Sequence, residues 1–372
     1  MYIKKGLSFS CMKYLSLCVV LFLLLISCTQ KEAQETIKIG VSVPLTGSGA
    51  HLGAPYFQGV DFAYKEINAQ GGINGKKLEL FVEDNQNSPK EGVSVFHALE
   101  LRHPDLILST MSTATMSMAP LAKEAGIPVF ASMIYADVTA VNDNAVIFFP
   151  TAKQEAKLAV DDMKKNNINK VGVIYINSEY GKASMEGFVV EAKSRGITIS
   201  AVEVFDGDLT DYSTPILKIE KENPQAIYII AINTVPILQH LKSTDSELIA
   251  YANVVSIGGN LIYQSEVFEG VHLTAPPVSV PASVENTNFR SKIQGSIPLE
   301  KNTLAYNALG YDSLYAIVAV LKKNPNAKDF VKTFSGYGVF KGAAGEYNLE
   351  GRKVEMPLYP VVFKDGNIHQ VQ

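Results

Sequence analysis

The chain has 372 residues, of which 47% are hydrophobic and 19% are charged, with 27 glycines and 17 prolines. This composition excludes a disordered, collagen-like or disulfide-scaffold protein, and at about 150 residues per domain the length predicts two domains. The net charge is −4 and no long basic run follows the N-terminus, so nucleic acid is not an expected partner.

The N-terminal segment predicts export. Three lysines precede an apolar run at 14–26, which as a helix rises only about 20 Å and is too short to span a membrane. A charged start, a short apolar stretch and Leu-Ile-Ser-Cys ending at Cys28 resemble a bacterial lipoprotein signal. We predict a signal peptide at 1–27, lipidation of Cys28 and a tether at 28–35. A plain signal peptide or a short buried helix is the alternative.

From residue 37 to residue 132, β-branched runs alternate with segments of helical periodicity. The pattern predicts strands that begin near 37, 77, 106 and 128, with helices between them at 56–70, 89–101 and 115–125. A crossover of a dozen residues cannot close a hairpin, so these strands are expected to pair in parallel. The segment therefore predicts one doubly wound α/β lobe.

A second series of the same kind follows. It predicts strands near 170, 198, 226 and 248, with helices at 154–166, 182–195, 214–223 and 236–243. The remaining residues contain a proline-rich crossing segment at 274–284, a long helix at 303–323 and a hairpin at 359–371. These residues contain too little alternation of strands and helices to form a third lobe. We therefore predict two doubly wound lobes with a cleft between them, completed by this C-terminal segment.

Catalytic and cofactor chemistry is not indicated. The glycine-rich stretch at 46–53 has the spacing G-x-G-x-x-x-G, which matches a dinucleotide loop only loosely, and the alternative is a turn that gives a ligand access to backbone N–H groups. The six histidines lack metal-ligand spacing, and all three cysteines lie within the first 28 residues. We therefore expect no cofactor, no metal and no enzymatic activity.

Several short motifs are similar to those of type I periplasmic binding proteins, in particular the leucine/isoleucine/valine-binding group of ABC importers. The most specific is Ile-Asn-Ala-Gln-Gly-Gly-Ile-Asn-Gly at 67–75, and supporting matches lie at 44–47, 119–128, 180–181, 211–213 and 310–312. The resemblance covers residues 36–372. It implies two Rossmann-like lobes joined by three hinge crossings, with lobe 1 at 36–150 and 276–356 and lobe 2 at 151–275 and 357–372.

The resemblance also implies a function. We expect an extracytoplasmic, lipid-anchored substrate-binding protein that closes on a small polar or carboxylate ligand and delivers it to an ABC permease. The chain is expected to be a monomer that meets the membrane only through its lipid. Two alternatives stay open: a sensory module of the same fold without transport, and a dinucleotide-dependent enzyme, which export disfavours.

Positions that match the ligand-binding residues of the family are assigned residue by residue. The resemblance implies that Ser112 and Thr113 bind a carboxylate and that further contacts come from Met133, Tyr135, Tyr180, Asn233 and Asn253. The last two stand where the family has a tyrosine and an amine-binding acid, and an amide cannot pair with an ammonium as a carboxylate does. An amino acid ligand is therefore not secured, and Asp137 or Glu179 could supply the missing charge.

Overall fold

Two β-sheets and the helices that cover them organise the chain beyond its N-terminal segment. The computed structural model describes residues 35–258, 266–298 and 304–371. The predicted signal peptide and the predicted lipidation site, Cys28, lie outside these ranges.

Fourteen strands are found in the described ranges. In chain order they are β1 (Thr36–Val43), β2 (Lys77–Asp84), β3 (Leu106–Thr110), β4 (Val129–Ser132), β5 (Ala145–Ile147), β6 (Lys170–Ile176), β7 (Thr198–Phe205), β8 (Ala226–Ile230), β9 (Ile249–Ala252), β10 (His272–Ala275), β11 (Gly336–Lys341), β12 (Glu346–Glu350), β13 (Tyr359–Lys364) and β14 (Asn367–Gln370).

Eleven α-helices accompany these strands in the same part of the chain. They are α1 (Ala50–Ala69), α2 (Pro89–Glu100), α3 (Ser112–Glu124), α4 (Val138–Val141), α5 (Ala152–Lys165), α6 (Glu179–Ser194), α7 (Ser213–Lys221), α8 (Val235–Ser243), α9 (Val284–Ile293), α10 (Leu304–Lys323) and α11 (Phe330–Ser335).

The first sheet has the strand order β2-β1-β3-β4-β5, and β1, β3, β4 and β5 pair in parallel. Every residue of β3 and β4 is buried, as expected for parallel strands covered by helices on both faces. The predicted doubly wound lobe is therefore confirmed. The short strand β5 was not predicted, because three residues are too few for a periodic signal.

The second sheet has the order β14-β13-β10-β9-β8-β6-β7. The strands from β10 to β7 are parallel, whereas β13 pairs antiparallel with both β10 and β14. The predicted C-terminal hairpin is thus confirmed, and it extends this sheet at one edge. A two-stranded antiparallel ribbon of β11 and β12, which was not predicted, forms a separate sheet that packs on Phe148 after β5.

The chain passes between the two sheets three times. It leaves the first sheet after β5, leaves the second after β10, and returns to the second at β13. We call the first sheet with the β11–β12 ribbon, α1–α4 and α9–α11 lobe 1, and the second sheet with α5–α8 and the 3-10 helix Val254–Ile257 after β9 lobe 2. The crossings lie close to residues 150, 275 and 357, while the lobe boundaries given above stay predictions.

Three helices begin earlier than the periodicity predicted. Helix α1 begins at Ala50, α3 at Ser112 and α6 at Glu179, and their first turns contain small or polar residues that carry no apolar period. For α6 the signal was present as a cap, because the Ser178 hydroxyl oxygen accepts a hydrogen bond from the Gly181 N–H over 3.1 Å. These early turns matter because all three helices begin beside the cleft.

Helices α1 and α10 pack backbone to backbone in lobe 1. A Cβ on Gly59 would lie 1.9 Å from the Asn307 carbonyl oxygen, and one on Gly310 would lie 1.9 Å from the Tyr56 carbonyl oxygen. The contact therefore requires glycine on both helices. Helix α10 is long and apolar enough to cross a membrane, but 89% of the qualifying stretch is buried in the fold, as in the core helix of a soluble protein.

Candidate functional site

A small cavity lies between the two sheets. Its volume is about 20 Å³, which is room for roughly one water molecule. Several of its walls are the loops that directly follow β3, β4, β6, β8 and β9, so it occupies the position where open α/β sheets bind ligands, beyond the carboxyl ends of their strands. The lining residues are Leu52, Asn87, Met111, Ser112, Thr113, Met133, Tyr135, Phe149, Ser178, Tyr180, Ile232, Val255 and Tyr306.

Two helix N-termini meet at this cavity. Helix α3 of lobe 1 begins with Ser112, and helix α6 of lobe 2 begins directly after its capping residue Ser178, and both residues line the cavity. The first N–H groups of a helix lack intrahelical partners and carry a partial positive charge. Among the lining residues in the described ranges, no side chain is charged. The electrostatics of the cavity therefore favour an anion.

The backbone is strained on the lobe 1 side of the cavity. Met111 has a φ of +71° and Met133 has a φ of +51°, in the left-handed region that residues other than glycine seldom adopt. Each follows a buried strand and lines the cavity. Strain of this kind persists where the surrounding structure holds it, and it clusters at binding sites.

Ser112 connects the start of α3 to the loop after β4. Its side chain is 3% exposed, and its hydroxyl oxygen accepts a hydrogen bond from the Tyr135 N–H over 3.1 Å. Thr113 follows it and is half-buried at the cavity wall. The two hydroxyl residues predicted to bind a carboxylate therefore stand together at the helix N-terminus.

Tyr135 lines the cavity with an aromatic ring. Its ring lies edge-on against Phe149, with a centroid distance of 5.3 Å, and 5.4 Å from the ring of Tyr180. Its hydroxyl donates a hydrogen bond to the carboxylate of Glu155. Burial, reinforced by the negative charge of Glu155, raises the pKa of the Tyr135 hydroxyl well above its usual value.

Glu155 is a buried acid that the sequence analysis did not single out. Its side chain is 1% exposed, and it also accepts hydrogen bonds from the Val254 N–H over 2.9 Å and from the Thr274 hydroxyl. Burial raises the pKa of Glu155 to about 6, and its three hydrogen bonds oppose that rise. Its position on the buried face of α5, beside Ala156, was the signal that could have revealed it.

Tyr180 and Asn253, both predicted to bind ligand, contact each other. The Asn253 side-chain amide donates to the Tyr180 hydroxyl oxygen over 2.9 Å, and the Tyr180 hydroxyl lies 3.2 Å from Asn253 Oδ1. That oxygen also accepts from the Val255 N–H over 3.2 Å. Tyr180 lines the cavity, whereas Asn253 is fully buried behind it and its amide is occupied by groups of this chain.

The remaining candidates lie away from the cavity. Asn233 is exposed, and its side-chain oxygen accepts from the Val235 N–H over 3.1 Å at the start of α8. Asp137 is exposed and forms an ion pair with Lys353 over 2.7 Å, which together with the Thr139 hydroxyl lowers its pKa against the effect of burial. Glu179 is also exposed. The structure therefore brings none of these side chains to the cavity, and a ligand contact by any of them stays a prediction.

Sequence reasoning missed most of the apolar wall. Five predicted residues line the cavity, namely Ser112, Thr113, Met133, Tyr135 and Tyr180. Three of the missed ones come from elements distant in the chain: Leu52 from α1, Tyr306 from α10 and Ile232 from the loop after β8. Apolar side chains on helices are read from sequence as core, and only the packing of the lobes turns them toward a cleft.

The glycine-rich stretch at 46–53 is held at its start by Asp84 and continues into the first turn of α1. The Asp84 carboxylate accepts hydrogen bonds from the Leu45 N–H over 2.9 Å and from the Thr46 hydroxyl over 2.5 Å. These hydrogen bonds lower the pKa of Asp84, although its partial burial acts in the opposite direction. A Cβ on Gly53 would lie 2.0 Å from the Pro44 carbonyl oxygen, so this glycine serves close packing. Within the described ranges, no cluster of three His, Cys, Asp or Glu side chains could hold a metal ion.

Comparison with known proteins identifies the family. A family model described as periplasmic binding protein matches residues 36–367, and the chain belongs to that family. Leu/Ile/Val-binding protein homolog 8 of Brucella abortus is 28% identical over 207 residues, which are 52% of this chain and 51% of that protein. Homolog 3 of Brucella melitensis is 29% identical over 201 residues, or 53% and 54% of the two chains. The chain spans about half the length of these relatives.

Solved structures have the same fold. The branched-chain amino acid transporter substrate binding protein LivJ of Streptococcus pneumoniae, in complex with isoleucine, superposes with a TM-score of 0.79 at 23% identity, covering 90% of this chain and 98% of that one. A solute binding protein of an ABC transporter from Rhodopseudomonas palustris, in complex with p-hydroxybenzoic acid, superposes with a TM-score of 0.78 at 18% sequence identity. The match covers 91% of this chain and 96% of that one.

These matches confirm the predicted resemblance to the leucine/isoleucine/valine-binding group and the predicted two-lobed α/β fold. The family is one of periplasmic binding proteins, which implies an extracytoplasmic location and the binding of small molecules. The structural neighbours named above were solved with an amino acid and with an aromatic acid, so the family leaves the ligand class of this chain open.

Proposed function

We propose that this chain is the substrate-binding lipoprotein of an ABC importer and that it captures a small monocarboxylate with an apolar body, by closure of its two lobes. The observation that carries the proposal is the meeting of two helix N-termini, from α3 and α6, at a cavity whose other walls are, apart from Asn87, apolar and aromatic. The negatively charged end of such a ligand matches the helix N-termini, and its uncharged body matches the apolar walls.

Support for the carboxylate comes from the start of α3. Helix N–H groups and two hydroxyl side chains, Ser112 and Thr113, are donors suited to an oxygen anion. The Ser112 oxygen accepts from the Tyr135 N–H, which leaves the hydroxyl proton for an acceptor in the cleft. Charge-assisted hydrogen bonds in a site that excludes water are among the strongest that proteins make.

Within the part of the chain that the structure describes, an α-ammonium group has no comparable partner at the cavity. No lining residue carries a negative charge, Asn253 is occupied by Tyr180 and Val255, and Asp137 is paired with Lys353. The carboxylate of Glu155 lies behind Tyr135 and accepts a hydrogen bond from the Tyr135 hydroxyl. Because a buried charge without a partner is costly, we expect 2-oxo acids and benzoates to bind more tightly than amino acids of the same size.

Isothermal titration calorimetry tests the ligand class with matched pairs. Isoleucine is compared with its 2-oxo analogue, and 4-hydroxybenzoate with 4-hydroxybenzamide, so that one pair varies the amine and the other the carboxylate. The proposal expects binding of the 2-oxo acid and the benzoate and weaker binding of isoleucine and the benzamide. Tight binding of isoleucine together with no binding of its 2-oxo analogue would contradict it.

Transport and anchoring are tested in cells. We expect deletion of the chain to abolish uptake of the radiolabelled ligand and the protein to fractionate with the membrane through lipid on Cys28. If uptake is unchanged while binding is intact, the chain serves a sensory role instead. Cross-linking in cells would report whether the monomer contacts an ABC permease.

A further inference from the structure

The hydrogen bond between Tyr135 and Glu155 joins the two lobes. Tyr135 lies in the loop after β4, in lobe 1, and Glu155 lies in the first turn of α5, in lobe 2. The other two donors to Glu155, the Val254 N–H and the Thr274 hydroxyl, both belong to lobe 2. Glu155 is therefore fixed to lobe 2 from two sides, and Tyr135 reaches it across the cleft.

Both partners are buried. Tyr135 is 7% exposed and Glu155 is 1% exposed, so water does not screen the bond between them. Even with its pKa raised to about 6, Glu155 is mostly ionised at neutral pH, which makes the bond charge-assisted. Separation of the lobes would remove the Tyr135 hydroxyl and would require water to replace it at a buried carboxylate.

The ring of Tyr135 adds apolar contacts to the same junction. It packs against Tyr180 of lobe 2, and the Tyr180 hydroxyl is held in turn by Asn253. The contacts that close this end of the cleft are thus made by side chains of the chain itself. They also leave a cavity of only about 20 Å³, smaller than any amino acid or benzoate requires.

We propose that Tyr135 and Glu155 form a latch that stabilises the closed arrangement of the lobes independently of any ligand, so that a ligand enters only when the latch has opened. The inference deepens the proposed function by naming what regulates access to the same site. Its consequence is quantitative, since the apparent dissociation constant rises in inverse proportion to the fraction of molecules in the binding-competent, open state.

Hydrogen–deuterium exchange of the full-length protein in detergent tests the latch without a ligand. Tyr135→Phe keeps the ring and removes the hydroxyl, and Glu155→Gln keeps the shape and removes the charge. The loss of a hydrogen bond to a charged group shifts an opening equilibrium by about tenfold or more, so we expect about tenfold faster exchange on both faces of the cleft, at residues 111–115 and 178–184.

A matched control exists within lobe 1. The Tyr347 hydroxyl donates to the buried Asp312 carboxylate over 2.8 Å, and that carboxylate also accepts two backbone N–H groups, from Ala343 and Ala344. Tyr347→Phe therefore removes the same kind of bond inside one lobe. We expect faster exchange near residues 343–347 and no change on the cleft faces.

The outcomes separate clearly. Unchanged exchange on the cleft faces in both Tyr135→Phe and Glu155→Gln, or an equal change in Tyr347→Phe, would overturn the latch. Circular dichroism shows whether each variant is folded, and the two conservative variants provide independent readings. Addition of isoleucine, its 2-oxo analogue or 4-hydroxybenzoate to the unmodified protein tests the proposed function separately. If none of these probes slows hydrogen exchange in the cleft, the proposed ligand class is contradicted, whereas the result on the latch is unaffected.

Discussion

The hydroxyl of Tyr180 and the side-chain amide of Asn253 hydrogen-bond each other in both directions, with the amide nitrogen 2.9 Å and the amide oxygen 3.2 Å from the hydroxyl oxygen. Asn253 also caps the short 3-10 helix Val254–Ile257 through the Val255 N–H. The residue that stands in the family's amine-binding position therefore positions a wall of the cavity and supports the loop behind it.

Replacement of Asn253 by alanine should destabilise the fold more than it alters ligand preference. It leaves the Tyr180 hydroxyl and the Val255 N–H without their partner, which costs about 1–3 kcal/mol in the free energy of unfolding. Urea unfolding monitored by circular dichroism measures the loss, and calorimetry with isoleucine and its 2-oxo analogue measures the preference. Asn233→Ala, which removes an exposed side-chain hydrogen bond to the Val235 N–H, is the matched control and should cost less than Asn253→Ala. A large gain in preference for the 2-oxo acid would contradict this structural role.

Replacement of Gly310 by alanine should strongly destabilise lobe 1. The added Cβ would lie 1.9 Å from the Tyr56 carbonyl oxygen, so α1 and α10 would have to move apart. Overpacking of a well-packed contact typically costs about 1–3 kcal/mol or more. Thermal unfolding measures the effect, with Gly207→Ala as the control because the nearest atom to its added Cβ lies 3.6 Å away. Equal melting temperatures for the two variants would contradict the predicted backbone contact.

Asp312 should make stability fall as the pH rises. Burial raises its pKa from 3.8 to about 7, despite hydrogen bonds from Ala343, Ala344 and Tyr347. The folded state then binds more protons than the unfolded state between these values, so the stabilisation is complete below pH 3.8 and is lost as the pH rises toward 7. Urea unfolding from pH 4 to pH 8 should show the destabilisation by Asp312→Asn shrinking with pH. A difference that does not vary with pH would contradict the shift.

Removal of the Ser112 hydroxyl should weaken carboxylate binding. Ser112→Ala removes a donor at the start of α3, and the loss of one hydrogen bond to a charged group corresponds to about tenfold or more in affinity. Calorimetry with 4-hydroxybenzoate measures it. Thr115→Val on the same helix is the control, because the Thr115 hydroxyl bonds to Ser109 over 2.8 Å within lobe 1. Equal affinity in Ser112→Ala and the unmodified protein would place the carboxylate elsewhere.

Substitution of Cys28 should release the protein from the membrane. We expect Cys28→Ser to prevent lipidation, so that the chain appears in the soluble fraction or persists as an uncleaved precursor. Membrane fractionation and mass spectrometry of the intact protein measure both outcomes, with Cys18→Ser as the control. Unchanged mass and unchanged fractionation of the Cys28 variant would show that another residue or mechanism anchors the chain.

Local patterns in the sequence determined the fold class. Period-two and helical patterns alternate through both halves of the chain, and a parallel sheet follows because short helical crossovers permit no other pairing. The order of the strands in both sheets is that of a doubly wound fold, and the hairpin of β13 and β14 formed where its turn residues indicated. The hydroxyl residues Ser112 and Thr113 were singled out through the resemblance to the binding-protein family, and the structure places both at the cavity.

The tertiary structure alone decided what the cavity is made of. Glu155 lies on the inward face of a helix and Tyr135 on a loop 20 residues earlier, and only the approach of the two lobes makes them partners. Asn253 was predicted to contact a ligand, and packing within lobe 2 places its amide against the Tyr180 hydroxyl, so that a ligand contact by Asn253 stays a prediction. Sequence patterns report which side of an element is buried, because burial follows local periodicity. They do not report what it is buried against, since that depends on how separate elements pack in three dimensions.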